Sequence, residues 1–174
     1  MTNCTSSQEV IETIRARGAV RIGIDGIDGS GKSTLAREIS TALGIPCVSL
    51  DNFLEKGKEG YVEYIDYPKL KDTLDSLGGY VVEGVCLRQV LQRIPLTPEA
   101  TVYIKRMKRD YWLNEDTLDI SEPVDAVLAR EIQQANGFTS SLVTNLPLTE
   151  EIIRYHDEFR PHNHADVTYG LTVG

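Results

Sequence analysis

The segment Gly26-Ile27-Asp28-Gly29-Ser30-Gly31-Lys32-Ser33 constrains this chain more than any other stretch, because it fits G-x-x-x-x-G-K-[ST]. The spacing has a physical cause. Glycines let the backbone turn successive N–H groups inward around phosphate oxygens, and a helix starting directly afterwards adds its positive end. Lys32 then reaches the terminal phosphates, and the Ser33 hydroxyl is placed to ligate magnesium. The loop therefore reads as an ATP site built from Gly26, Asp28, Gly29, Ser30, Gly31, Lys32, Ser33 and Thr34. A chance match in a chain this long is roughly a one-in-a-hundred event. The flanks reduce it further. Ala19 to Asp25 is a short apolar run suited to a buried strand. Lys32 to Leu43 carries Leu35, Ile39, Ala42 and Leu43 on one helical stripe and stops at Gly44 and Pro46. The competing dinucleotide pattern G-x-G-x-x-G does not occur.

The rest of the chain alternates in the same way. Ser6 with Glu9 is a capping-box pattern opening a helix that should stop near Gly18. Further strands are expected at Cys47 to Leu50, Tyr80 to Glu83, Thr101 to Ile104 and Ala165 to Leu171. Helices are expected at Pro68 to Leu77, Pro123 to Ala135 and Glu150 to Phe159, with 55–60 a loop. Such alternation implies a three-layer α/β fold, a five-stranded parallel sheet with helices on both faces. With 174 residues and no linker or repeat, residues 1–174 are read as one domain.

Eighteen basic against 26 acidic residues leave a net charge of -8, which argues against a nucleic-acid surface. Cys4, Cys47 and Cys86 have no paired spacing, and no apolar run is long enough to span a bilayer. The expectation is a cytoplasmic protein without membrane partners, for which association of identical chains stays open.

A phosphate loop alone does not separate kinases, GTPases, motor ATPases and passive sensors. No asparagine is followed by lysine, so the base-reading motif of a GTPase is absent. Asp51 closes the second expected strand, where open parallel sheets place ligand-binding groups. A carboxylate there could take the proton of an acceptor hydroxyl, or it could simply cap a turn with Asn52.

The stretches GIDGIDGSGKSTLA and VSLDNFL resemble the uridine kinase and nicotinamide riboside kinase group, with phosphoribulokinase and pantothenate kinase more distant. The resemblance is close from Val20 to Gly84 and thin afterwards. It implies an ATP- and magnesium-dependent transfer of phosphate to a small-molecule hydroxyl, a nucleoside first among the candidates. It makes Asp51 the catalytic base and Phe53 part of the acceptor site. Tyr64-Ile65-Asp66-Tyr67-Pro68 is similar to the family's Asn-Phe-Asp-His-Pro segment, which gives Asp66 the sugar hydroxyls. Tyr80-Val81-Val82-Glu83-Gly84 resembles the family's strand ending in Glu-Gly, which puts Glu83 near magnesium beside Ser33. The family's arginine-rich lid with Glu-Arg-Gly-Arg is absent. A metabolite kinase for a sugar phosphate or vitamin precursor is the enzymatic alternative. A regulatory nucleotide sensor is the other, and it has no need of the pair Asp51 and Asp66.

Three features carry two readings each. Lys105, Arg106, Lys108 and Arg109 form a cationic lid, with Arg109 the preferred catalytic residue, or a solvated helix face balanced by Asp110, Glu115 and Asp116. His156, His162 and His164 fit a solvent-facing loop better than a metal site, and the family resemblance implies that this loop borders the adenine. Tyr61, Tyr64 and Tyr67 line an acceptor pocket or cover the core.

Overall fold

Ser6 caps the first long helix, α1 (Ser7–Arg17), by accepting from the Glu9 N–H at 3.3 Å. The Glu9 carboxylate reaches back to the Thr5 N–H at 2.7 Å, one residue earlier than in the standard box. The computed structural model describes residues 1–55, 57–58, 60–137 and 146–173. Gly18 ends α1 with a left-handed φ of 67°.

The strands are β1 (Thr2–Cys4), β2 (Arg21–Asp25), β3 (Cys47–Ser49), β4 (Tyr80–Gly84), β5 (Ala100–Lys108), β6 (Tyr111–Trp112) and β7 (Val167–Thr172). Six lie in the order β1-β7-β5-β2-β4-β3, every pair parallel, and β6 folds back antiparallel on β5. The sheet thus has seven strands where the sequence reading expected five. Thr2–Cys4 extends the edge beyond β7, held by backbone bonds with only Cys4 buried, so it carries no alternating signal. The other addition arises because β5 runs on through Lys108 and turns, placing the basic run on a strand.

Alternation along the strands assigns the two faces. Ile22 and Ile24 of β2, Val81 of β4, and Val102 and Ile104 of β5 pack with α1 and α2 (Lys32–Leu43). Val82 and Tyr80 pack on the other face with α3 (Tyr67–Asp75), α4 (Leu87–Gln92) and Tyr155 of α7 (Leu146–Phe159). Three further helices, α5 (Glu115–Leu118), α6 (Val124–Gly137) and α8 (Pro161–His164), complete the segment between β6 and β7. Among the described residues no helix is long and apolar enough to cross a membrane.

Candidate functional site

The phosphate loop leaves the carboxyl end of β2, between neighbours β4 and β5. Gly26, Gly29 and Gly31 all take positive φ, at 152°, 66° and 91°. At Gly31 the positive φ is what demands glycine, since the nearest atom to an added side chain is only the terminal methyl of Leu171 at 2.9 Å. Asp28 tightens the turn by accepting the Gly29 N–H at 2.9 Å. Gly31 supplies no side-chain cap to α2, and the first turn holds no acidic residue. The free N–H groups of that turn therefore keep their affinity for an anion.

Lys32 is buried and donates to the Ile27 carbonyl at 2.7 Å. Burial pulls its pKa down, opposed by the carboxylates of Glu83, Asp25, Asp28 and Asp51. Four acids around one ammonium make a site short of positive charge. Ser33 donates to Glu83 Oε1 at 3.2 Å across the start of α2 and the end of β4. Among the described residues no three His, Cys, Asp or Glu side chains cluster as metal ligands. Magnesium, though, takes most of its oxygens from phosphate and water and needs one or two protein donors. The Ser33–Glu83 pair fits that need. The Ser30 hydroxyl, fully buried and without a partner among the described residues, and the uncapped α2 turn fit a phosphate group. Thr34 lies exposed one residue further along the helix.

Where the sequence reading expected the acceptor, Asp51 stands in a 3-10 turn, Leu50–Phe53, that follows β3. Gly84 permits this turn, because a Cβ there would strike Leu50 at 2.6 Å. The Tyr61 hydroxyl donates to Asp51 Oδ1 at 2.6 Å. Burial and then the Asp51 carboxylate raise the Tyr61 pKa, so the phenol stays a donor. The Tyr61 and Val62 N–H groups are held by Glu151 of α7 at 2.7 and 2.8 Å. Leu54 and Ile65 form a bridge, and the Asp66 N–H donates to the Phe53 carbonyl at 2.8 Å. Those bonds bring Asp66 beside the Asp51 turn. Asp66 is exposed and caps α3, accepting the Lys69 N–H at 3.1 Å. Phe53 is buried in the core, with Lys69 Nζ 5.6 Å from its ring centre. It forms wall behind the site rather than an open contact.

The basic run divides along β5. Ile104 lies against Gly26, and Arg106 pairs in register with Leu171, which lies against Gly31. Residues i and i+2 share a face, so Arg106 continues the row that faces the loop, and its Nε is buried without a partner among the described residues. Arg109 stands exposed at the tip of the β5–β6 turn with φ 57°. Lys105, on the opposite face, covers the Trp112 ring at 4.1 Å. The basic residues occupy a strand and its turn, so the helix-face alternative is replaced.

His156 and His162 are buried, contrary to the expected solvent-facing loop, and only His164 is exposed. Both rings pack against Tyr103. His156 Nδ1 donates to the Ile152 carbonyl and Nε2 accepts from the Tyr103 hydroxyl, each at 2.7 Å. Burial pushes its pKa to about 4.

Sequence reasoning missed Asp25, Tyr155 and Glu151. Asp25 accepts from the Gly26 N–H at 2.7 Å and from the Tyr155 hydroxyl, which ties α7 to the phosphate loop. Its position directly before the loop was the available signal. Tyr155 and Glu151 carried none, since contacts from α7 to β2 and to Tyr61 span much of the chain.

No family model and no curated protein matches the chain. Solved structures do. A possible uridine kinase from Bacillus stearothermophilus superposes with a TM-score of 0.50 at 20% identity, covering 94% of this chain and 96% of that one. Shikimate kinase from Aquifex aeolicus gives 0.47 at 18%, covering 86% of each chain. The Acinetobacter baumannii shikimate kinase gives 0.46 at 16%, over 94% and 89%. Layer order, the loop at the end of β2 and the first of these superpositions agree: the chain has the fold of the P-loop kinases.

Proposed function

We propose that this chain is a small-molecule kinase that moves the terminal phosphate of ATP to an acceptor hydroxyl, with a nucleoside as the acceptor. The observation that carries the reading is Asp51. One of its oxygens is fixed by Tyr61, and the carboxylate is among those whose field reaches Lys32. A group so held takes the hydroxyl proton on its second oxygen as the phosphate is attacked. Lys32 and the α2 N–H groups hold the phosphates, and Ser33 with Glu83 holds magnesium, which supplies charge neutralisation to the phosphate oxygens. Arg106 or Arg109 adds a cation over the transferred group. Asp66, bonded through its N–H to Phe53 of the Asp51 turn, offers its outer oxygen to vicinal hydroxyls. The nucleoside choice is supported by the segment from Tyr64 to Pro68 and by likeness in fold to the possible uridine kinase.

A panel of ribonucleosides, their dideoxy counterparts and vitamin precursors, incubated with ATP and magnesium, tests this by mass-resolved product formation. Phosphorylated ribosides with silent dideoxy analogues are the expected result. Phosphorylation of a non-riboside alone transfers the reading to another metabolite. ATP binding with no product from any hydroxyl compound returns the chain to the sensors.

A further inference from the structure

A cavity of about 490 Å³ lies on the sheet face opposite α2, roofed by α4 and α8. Its volume is that of a small-ligand site. It is separate from the acceptor side, because neither Asp51, Tyr61 nor Asp66 lines it. Leu87, Leu91, Ile94 and Pro98 give it an apolar body. Polar groups reach it in two sets with different standing.

The acids are already spent. Asp25 receives the Gly26 N–H and the Tyr155 hydroxyl. Asp166 receives Arg17 together with the Thr101 N–H at 2.9 Å and the Thr101 hydroxyl at 3.0 Å. The donors are not spent. Arg88 lines the cavity and its guanidinium has no hydrogen bond or ion pair among the described residues; the same holds for the side chains of Gln92 and His164. Arg88 is also well placed along the chain, since its N–H donates to the Tyr155 hydroxyl at 3.2 Å and so fixes the start of α4. Arg88 is exposed at the mouth of this apolar cleft, and a guanidinium free there can pair with one carboxylate of a ligand whose apolar body lies within.

We propose that this cavity is a second ligand site, for small apolar carboxylates, in which Arg88 pairs with the carboxylate and the leucine and proline side chains cover the body. The site does not depend on phosphotransfer, and its failure leaves the kinase reading intact.

Titration of the full chain with 2-naphthoate and with its uncharged counterpart 2-acetonaphthone, by calorimetry and ligand-observed NMR, tests the proposal. The carboxylate should bind at least about tenfold tighter than the ketone, the scale of one charge-assisted hydrogen bond. Arg88→Gln should erase that preference. Gln92→Trp, a substitution of an exposed residue at the mouth, should weaken both probes. An ATP analogue should bind both variants as it binds the parent, which reports that they are folded. Equal affinity for the two probes, a preference surviving Arg88→Gln, or absence of saturable binding would overturn the proposal. Displacement of 2-naphthoate by the ATP analogue would overturn it too, by placing the probe in the nucleotide site. Loss of probe binding as the protein self-associates in sedimentation would assign the face to a second copy of the chain instead.

Discussion

Lys32 serves the fold as well as the proposed phosphate site. Its ammonium is buried, bonded to the Ile27 carbonyl, and surrounded by the fields of four carboxylates. Lys32→Ala should therefore abolish ATP turnover and lower stability by no more than about 1 kcal/mol, because the half-buried Ile27 carbonyl loses one donor and keeps the Ser30 N–H at 3.2 Å. Kinetics and urea unfolding on one preparation check both, and normal turnover in a folded variant would sink the phosphate-loop assignment. Asp51 and Tyr61 form the second residue-scale test. Asp51→Asn keeps the shape and loses the basic oxygen, so kcat should fall by roughly 10²–10⁴-fold with ATP affinity nearly unchanged. Tyr61→Phe leaves the carboxylate in place but frees Oδ1, and should cost about tenfold in kcat. If Asp51→Asn loses ATP affinity and turnover in step, the carboxylate belongs to the nucleotide and metal side. Turnover untouched by Asp51→Asn would leave it as a turn cap.

At the scale of elements, Asp66 has one observed role and one proposed role that a single alanine variant would confuse. It caps α3, and Pro68 in the first turn of that helix needs no donor. Asp66→Asn keeps the cap and removes the charge, whereas Asp66→Ala removes both. The expected result is a raised acceptor KM in both variants and a stability loss of about 1 kcal/mol only in Asp66→Ala. Unchanged KM in Asp66→Asn would confine the residue to the helix. The contrast between α2 and β5 explains how much the sequence could tell. The loop and α2 were legible because glycine at positive φ, a following lysine and a helical stripe each have one physical reading. The strand β5 was cut short because Lys105, Arg106 and Lys108 mask its alternation, even though Met107 and Lys105 take one face and Arg106 the other. The pair Asp51 and Asp66 was legible as residue types at strand and helix ends. Their approach through the Leu54–Ile65 bridge was not, since it depends on a turn with no periodic signal. Tyr61 stood among three evenly spaced tyrosines, and only the fold separates the one that bonds Asp51 from the Tyr67 that bonds the Val62 carbonyl.

Across the whole molecule, α7 is fastened to the sheet by the adjacent Tyr155 and His156, and the two groups that ionise at these contacts, Asp25 and His156, pull stability in opposite directions. Tyr155 donates to Asp25 of β2, and His156 accepts from Tyr103 of β5. Burial raises the Asp25 pKa from 3.8 to about 6, against hydrogen bonds from Tyr155 and Gly26 that lower it. The folded state then holds a proton that the unfolded chain gives up, so Asp25 favours folding below pH 3.8 and loses that contribution as pH rises through 6. Burial lowers the His156 pKa from 6.5 to about 4. Here the unfolded chain takes up the proton first, so His156 costs nothing above pH 6.5 and destabilises progressively as pH falls toward 4. Each full excursion is on the order of 3 kcal/mol, and over the shared window the two slopes largely cancel. Substitution should uncouple them. Asp25→Asn leaves His156 unopposed, and stability should rise with pH between 4 and 6 more steeply than in the parent. His156→Gln leaves Asp25 unopposed, and the slope over the same range should be flatter than the parent's or reversed. Urea midpoints measured at half-unit steps of pH for the three proteins give the slopes directly. Surface carboxylates such as Glu63 and Glu99 contribute alike to all three, so the differences isolate the two buried groups. Three parallel curves would show that neither group is held in the protonation state its burial imposes.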